Sequence, residues 1–369
     1  MKVKIYNQSI LEYRGDVVIV NLFEGEKAPG GATGAVDKAL NGIIRKMIMS
    51  GEITGKLGET AIIHTFERLN ADKVLIVGLG KSNTFGPEEI RKASGAAITH
   101  ARQTNAKRVG SIVHGAGKGG LKPDKAAQSL IEGTMLALYE FEEYKKPAEK
   151  KIKEFAILEM NKRKIQRFNK GLESGMIRAQ AQNSARDFIN EPANNLTPKK
   201  LHRRLISIIR DMGLEKTIKL ECLARAQIKK LGMNALLSVT QGSDNEPQFI
   251  TLRIENARRP LVCLIGKTVT FDSGGISLKP SAGMDRMKGD MSGGAAVIGA
   301  TLALAKTKST INLMTIIPAV ENMPSGKASR PGDVVRAMNG KTIEIISTDA
   351  EGRMTLADAI CYAEKKKAQ

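Results

Sequence analysis

Two stretches of this chain carry acids and ammonium groups at spacings that could do chemistry. Residues 261–290, LVCLIGKTVTFDSGGISLKPSAGMDRMKGD, hold Lys267, Asp272, Lys279 and Asp290; residues 347–353, STDAEGR, hold Asp349, Glu351 and Arg353. No histidine lies in either stretch. Carboxylate oxygens suit hard or borderline divalent cations, and acids brought close together cannot all stay ionised without a cation among them. Two such cations, ~3.5–4 Å apart and bridged by carboxylates, would activate water and clamp a tetrahedral intermediate. On spacing alone a plainer alternative stays open, in which these are solvated loop acids and a helix cap. Nucleophilic serine chemistry is not indicated, because Ser273 has Phe271 where a nucleophile elbow needs its upstream glycine.

The elements that must position these groups can be read around them. Pro260–Gly266 is an apolar run that reads as a buried strand, followed by a polar, glycine-rich segment that reads as a long loop reaching Asp290. Loops at the C-terminal ends of buried strands are where α/β proteins place ligands. Met291–Lys306 is small and apolar, as a buried helix would be, and Thr342–Ile346 is strand-like. A helix is expected from Ala350 to about Lys366, opened by a capping box over Thr348-Asp349-Ala350-Glu351, so that both carboxylates sit at its N-terminus. Its Met354, Leu356, Ala357, Ile360 and Cys361 are spaced to bury an apolar stripe.

The segments GKTVTFDSGGISLKPSAGMDRMKGDMSGGAAV and STDAEGRMTLADAICYA, with NEPANNLTP at 190–198, resemble the leucyl (cytosol) aminopeptidases, a family of two-metal exopeptidases. ALNGIIRKMIMSGEITGKLGET and VLIVGLGK resemble, more weakly, the family's N-terminal domain. The resemblance implies an α/β protein of two domains: a macro-domain-like N-terminal unit without catalytic residues, and a zinc-exopeptidase-like unit built on a central mixed sheet. It implies that Lys267, Asp272, Asp290, Asp349 and Glu351 bind two divalent metal ions per subunit, Mn²⁺ or Zn²⁺. Asp272 and Glu351 would touch or bridge both ions, since bridging needs an acid with both oxygens available. It further implies that Lys279 and Arg353 act in catalysis, with bicarbonate held at Arg353, and that Lys267, Asp272 and Met287 contact substrate. The implied activity is cytoplasmic, leucine-preferring release of N-terminal residues from peptides, by a homo-hexamer where the chain runs to the family's full length. Thr268 and Ser347 depart from the family's usual glycine and asparagine. The family's chain continues well beyond the helix that ends near Gln369, so part of the sheet and of the pocket wall is expected to be lacking and apolar surface to be exposed. A catalytically impaired relative, acting as a basic DNA-binding or interaction protein, is the alternative.

At 369 residues with 41% hydrophobic content, the chain is expected to form two globular domains: 1–148, a connector and linker helix over 149–189, and 190–369. No run approaches the ~18 apolar residues of a membrane span, and no signal peptide is expected. Cys263 and Cys361 read as buried thiols and, with Cys222, suggest a reducing compartment. The net charge of +20 leaves nucleic acid open as a partner, but 4% aromatic content and no tryptophan make base-stacking platforms scarce. Basic residues are densest at Lys145–Lys153, Lys162–Lys170 and Lys199–Arg210. In the first half, Asp16–Phe23, Lys73–Gly80 and Arg108–His114 read as strands, with helices around Ala35–Ser50, Pro87–Gln103 and Lys125–Glu143. Gly78-Leu79-Gly80 and Gly115-Ala116-Gly117-Lys118 fall short of nucleotide-binding motifs and read as strand-exit turns. His64, His100, His114 and His202 show no ligand spacing and are expected in structural or surface roles.

Overall fold

A computed structural model of the chain describes residues 1–116, 119–146, 152–256 and 258–369. The chain folds as two compact units, Met1–Gln180 and Ala181–Gln369. Gly117 and Lys118 of the second glycine motif, and part of the basic stretch Lys145–Lys153, lie outside the described residues.

The first unit is a six-stranded sheet of β1 (Lys2–Tyr6), β2 (Val17–Leu22), β3 (Thr60–His64), β4 (Lys73–Gly78), β5 (Arg108–Ser111) and β6 (Glu154–Leu158). Their order is β1-β6-β5-β2-β4-β3, parallel except for β3, which runs antiparallel to β4. The uninterrupted apolar runs of β2 and β4 follow from burial on both faces. One face packs on α1 (Gly31–Ala39) and α2 (Ile43–Ser50), the other on α3 (Pro87–Gln103), α4 (Pro123–Ala137) and the start of α5 (Lys162–Asn190). The single helix expected over Ala35–Ser50 is two helices, broken at Asn41-Gly42, where both residues have positive φ. Strands β1 and β3, short and only partly buried, are not among the expected strands; nor is β6, although its Phe155–Leu158 is a buried apolar run.

The second unit contains α6 (Pro198–Asp211), β7 (Lys219–Leu223), α7 (Arg225–Lys230), α8 (Asn234–Val239), β8 (Gln248–Ile254), β9 (Leu261–Ile265), β10 (Thr268–Asp272), α9 (Ser292–Lys306), β11 (Asn312–Asn322), β12 (Val334–Arg336), β13 (Thr342–Glu344) and α10 (Glu351–Lys365). The long strand β11 is the spine. Antiparallel β8 pairs with one of its edges, and β9 and β10 pair with the other, parallel and end to end. Helices α6 and α9 pack on one face with Ile317 and Ala319; α8 and α10 cover the other with Ile316 and Val320.

Two expectations are corrected here. The run Pro260–Gly266 is not a buried strand: β9 is a half-exposed edge strand, with Val262 36% exposed. The segment after it is not all loop, because β10 resumes the strand for five residues before the chain turns away.

The gap between β9 and β10 has a cause on the neighbouring strand. Gly266 N donates to Ile316 O at 3.1 Å, so β11 presents residue 316, and by the two-residue period residue 318, to this edge. Residue 318 is proline and has no N–H to return to Gly266 O. The hydroxyl of Thr268 supplies the missing donor, bonding Gly266 O at 2.8 Å, while Lys267 O is taken by Gly294 N at 2.7 Å, at the start of α9. Lys267 is thereby held out of the ladder.

Candidate metal centre

Three carboxylates from distant parts of the second unit converge. Asp272 ends β10, Asp290 closes the short helical turn Met284–Gly289, and Glu351 opens α10; one oxygen of each lies within 4.8 Å of the others. Asp272 and Glu351 are each 2% exposed. Lys267, displaced from the strand, reaches into the cluster: its Nζ is 2.8 Å from Asp290 Oδ2 and 2.7 Å from Glu351 Oε1. These are ion-pair distances, yet neither carboxylate oxygen is met along a hydrogen-bonding direction. Glu351 Oε2 is buried with no partner at all among the described residues.

A second lysine closes the other side. Lys279 Nζ lies 2.9 Å from Asp272 Oδ2 and also bonds Asp349 Oδ1. Asp349 sits in the turn Thr348–Ala350 just before α10 and is the most exposed of the four acids. Burial pulls the Lys279 pKa down, but hydrogen bonds to Asp349 and Asp272 outweigh it, so its pKa is raised and the group stays an ammonium. Lys267 behaves alike, with Asp290 and Glu351 overcoming burial. Burial pushes the Asp290 and Glu351 carboxyls above their ordinary range, against the pull of Lys267.

The loop carrying Lys279 is shaped by Gly274, whose φ of +89° lies in the left-handed region and turns the chain back from β10. The turn is pinned by Thr348, whose hydroxyl donates to Gly274 O at 2.6 Å and accepts from Ser277 N at 2.8 Å. This overturns the expected capping box. Thr348 is spent on the loop, and Ser347 Oγ caps the turn instead, accepting from Asp349 N at 3.3 Å. The expected stripe of α10 is also shifted. Met354, Asp358, Ala359, Tyr362 and Ala363 face inward, whereas Ile360 is exposed and Leu356, Ala357 and Cys361 are half-buried. Cys263, expected to be buried, is half-buried too; what burial it has raises its thiol pKa to about 11.

Of the predicted site residues, Lys267, Asp272, Lys279, Asp290, Asp349 and Glu351 are brought together. Arg353 is exposed on the first turn of α10, and no hydrogen bond or ion pair joins it to the others. Met287 is half-buried in the turn before Asp290, where its carbonyl accepts from Asp290 N at 3.3 Å. The expectation that Asp272 offers both oxygens is not met: its Oδ1 already accepts from Gly274 N at 3.0 Å and Asn322 Nδ2 at 2.8 Å. Glu351 is the acid with open valence. Asn322 and Thr348 are contributors that spacing did not reveal. None of the predicted site residues lines the polar cleft of about 970 Å³ beside Ser243, Asp244, Glu321 and Lys327. No histidine joins the cluster; His100 bonds Thr60 and His114 bonds Asn21.

The donor set fits a divalent cation. Hard oxygen ligands converge, and a buried carboxylate oxygen stands without a partner, which is costly unless something positive meets it. Two ammonium groups partly neutralise the acids from opposite sides.

Comparison with known proteins shows what the chain is similar to. The family model for the cytosol aminopeptidase family, catalytic domain, matches residues 183–369, and that for the same family's N-terminal domain matches residues 19–148. A probable cytosol aminopeptidase of Alkaliphilus oremlandii is 39% identical over 373 residues, covering 100% of this chain and 74% of the relative. One from Chromobacterium violaceum is 36% identical, covering 99% and 70%. Among solved structures, a mutant of tomato leucine aminopeptidase superposes with a TM-score of 0.85 at 28% identity, over 100% of this chain and 72% of that one. The bottromycin maturation enzyme BotP in complex with Mn gives 0.79 at 30% identity, over 94% and 69%. Among the described residues, no helix is long and apolar enough to cross a membrane.

Proposed function

Because this chain belongs to the cytosol aminopeptidase family, we propose that it is a metal-dependent aminopeptidase that removes N-terminal residues, leucine among them, from peptides. Lys267, Asp272, Asp290, Asp349 and Glu351 would hold two divalent cations, Mn²⁺ being the first candidate because BotP was solved with Mn. The observation that carries the reading is the convergence of Asp272, Asp290 and Glu351 within 4.8 Å around the unpartnered Glu351 Oε2. When bound, such a pair of cations supplies Lewis-acid polarisation and an activated water.

The chain's own residues account for the rest. Lys279 is held by Asp272 and Asp349 through two of its donors, which leaves a third N–H to meet charge developing on the scissile carbonyl oxygen. Asp349, half-exposed, lies where a free substrate amine could approach. Arg353, exposed and with no partner among the described residues, would hold a small anion such as bicarbonate at the mouth of the site. Met287 would flank the first substrate side chain.

The test is hydrolysis of leucine p-nitroanilide by the chain with added Mn²⁺ or Zn²⁺, before and after chelation. Cation-dependent release of p-nitroaniline supports the assignment. Binding of cation without hydrolysis of any aminoacyl anilide would instead favour an inactive, interaction-only relative.

A further inference from the structure

We propose that Asn322, at the end of β11, is a positioning residue that decides which oxygen of Asp272 is offered to a cation. It rests on the reading of the site as a metal centre, and no residue role assigned above requires it.

Asn322 is 4% exposed and spends both amide hydrogens on the two halves of the site. One goes to Asp272 Oδ1 at 2.8 Å, at the end of β10; the other goes to Thr348 O at 3.0 Å, in the turn that carries Asp349 and opens Glu351's helix. Both groups facing the amide are acceptors, so only the NH₂ end can point towards them, and the orientation of the side chain is set chemically. With Gly274 N also donating, Asp272 Oδ1 has both lone pairs occupied. Only Oδ2 remains, and it faces Lys279 at 2.9 Å, on the site side.

The main chain of Asn322 strengthens the same junction. Its carbonyl accepts from Ser273 N at 3.0 Å and Ser273 Oγ at 2.9 Å, in register with the pairing of Asp272 and Asn322 across the two strands. Asp272 therefore acts as a one-oxygen ligand of fixed rotamer, and Glu351, whose Oε2 has no partner among the described residues and whose Oε1 meets only the Lys267 ammonium, is the acid able to use both. Removing the amide would let the Asp272 carboxylate rotate and break the link to Thr348 O, loosening the distance between the two ligand-bearing segments.

The experiment is a Mn²⁺ titration of the whole chain by calorimetry, in parent, Asn322→Ala, Asn322→Asp and Ser273→Ala, with melting of each metal-free protein recorded alongside. Ser273→Ala removes the hydroxyl's bond to Asn322 O and the one it accepts from Gly275 N at 3.2 Å, and leaves both bonds to Asp272 Oδ1 in place. Loss of an outer partner of a ligand typically weakens metal binding by about 10–100-fold. We expect that loss in Asn322→Ala, a greater one in Asn322→Asp, where an acceptor faces the carboxylate, and parent-like affinity in Ser273→Ala. Parent-like Mn²⁺ affinity in folded Asn322→Ala, or equal losses in Asn322→Ala and Ser273→Ala, would overturn the assignment. So would loss of the cooperative melt in both Asn322 variants, which would make the residue a structural lock. A parent chain that binds no Mn²⁺ would overturn the metal-centre reading itself, and this inference with it.

Discussion

Gly352 offers a test of where Lys267 sits in the working site. It is buried in the first turn of α10, directly over the Lys267 side chain. An alanine Cβ there would lie 2.6 Å from Lys267 Cε, 2.7 Å from Cδ and 3.0 Å from Nζ. Carbon atoms pack comfortably at about 3.5–4.0 Å, so the end of the lysine must retreat by about 1 Å. The atoms in the way belong to the tip of a flexible chain, so the backbone need not move. Replacing glycine by alanine in a helix gains up to about 1 kcal/mol, and less in a first turn. Helix propensity alone would therefore hold or slightly raise the metal-free melting temperature, but Glu351 and Asp290 lose the cation beside them, which pulls it below the parent value. The lysine would lose its 2.7 Å and 2.8 Å contacts with Glu351 and Asp290. Misplacement of a site group by about 1 Å can cost about 10²-fold in rate, and that is the loss expected in kcat/KM for leucine p-nitroanilide at saturating Mn²⁺. Parent-level kcat/KM in Gly352→Ala would refute the placement of Lys267 in the working site. Loss of the cooperative metal-free melt would show that the helix, not the lysine, gave way.

Other outcomes follow from the same geometry. Lys279→Ala should retain bound metal and lose about 10²–10³ in kcat, as removal of an oxyanion donor typically does; loss of metal with unchanged turnover per metal would show the role to be wrong. Asp272→Ala should lower bound metal, measured by elemental analysis, and abolish turnover; near-parent values of both would remove Asp272 from the ligand set. His114 gives a pH prediction in the first unit. Its Nδ1 accepts from Asn21 Nδ2, and complete burial lowers its pKa from 6.5 to about 4, so the fold favours the neutral ring. Its contribution is complete above pH 6.5, declines as pH falls, and is gone below about 4. At about 1.4 kcal/mol per unit, the loss approaches about 3 kcal/mol. Denaturant melts at pH 7.5 and pH 4 should show that destabilisation in the parent and a smaller one in His114→Gln.

Much of the candidate site could be read directly from residue type. Lys267, Asp272, Lys279, Asp290, Asp349 and Glu351 are close in sequence within two segments, and the preference of divalent cations for oxygen ligands does not depend on the fold. Apolar runs and periodicity likewise located β2, β4 and α3, because burial on one or both faces leaves a local pattern. The tertiary structure alone decided matters that turn on partners far along the chain. Lys267 leaves its strand because Pro318, on β11, has no hydrogen to give, and Thr268 can cover the vacancy. Asp272 presents a single oxygen because Asn322, 50 residues away, occupies the other. Thr348 pins the Gly274 turn rather than capping a helix, since its hydroxyl has two backbone partners there. Asp358 is fully buried on the inner face of α10 because Leu236 N and Met338 N both donate to it, which no pattern of apolar residues could announce. Local chemistry is written in the order of the residues, but the satisfaction of a buried polar group depends on which distant donor or acceptor packing brings beside it.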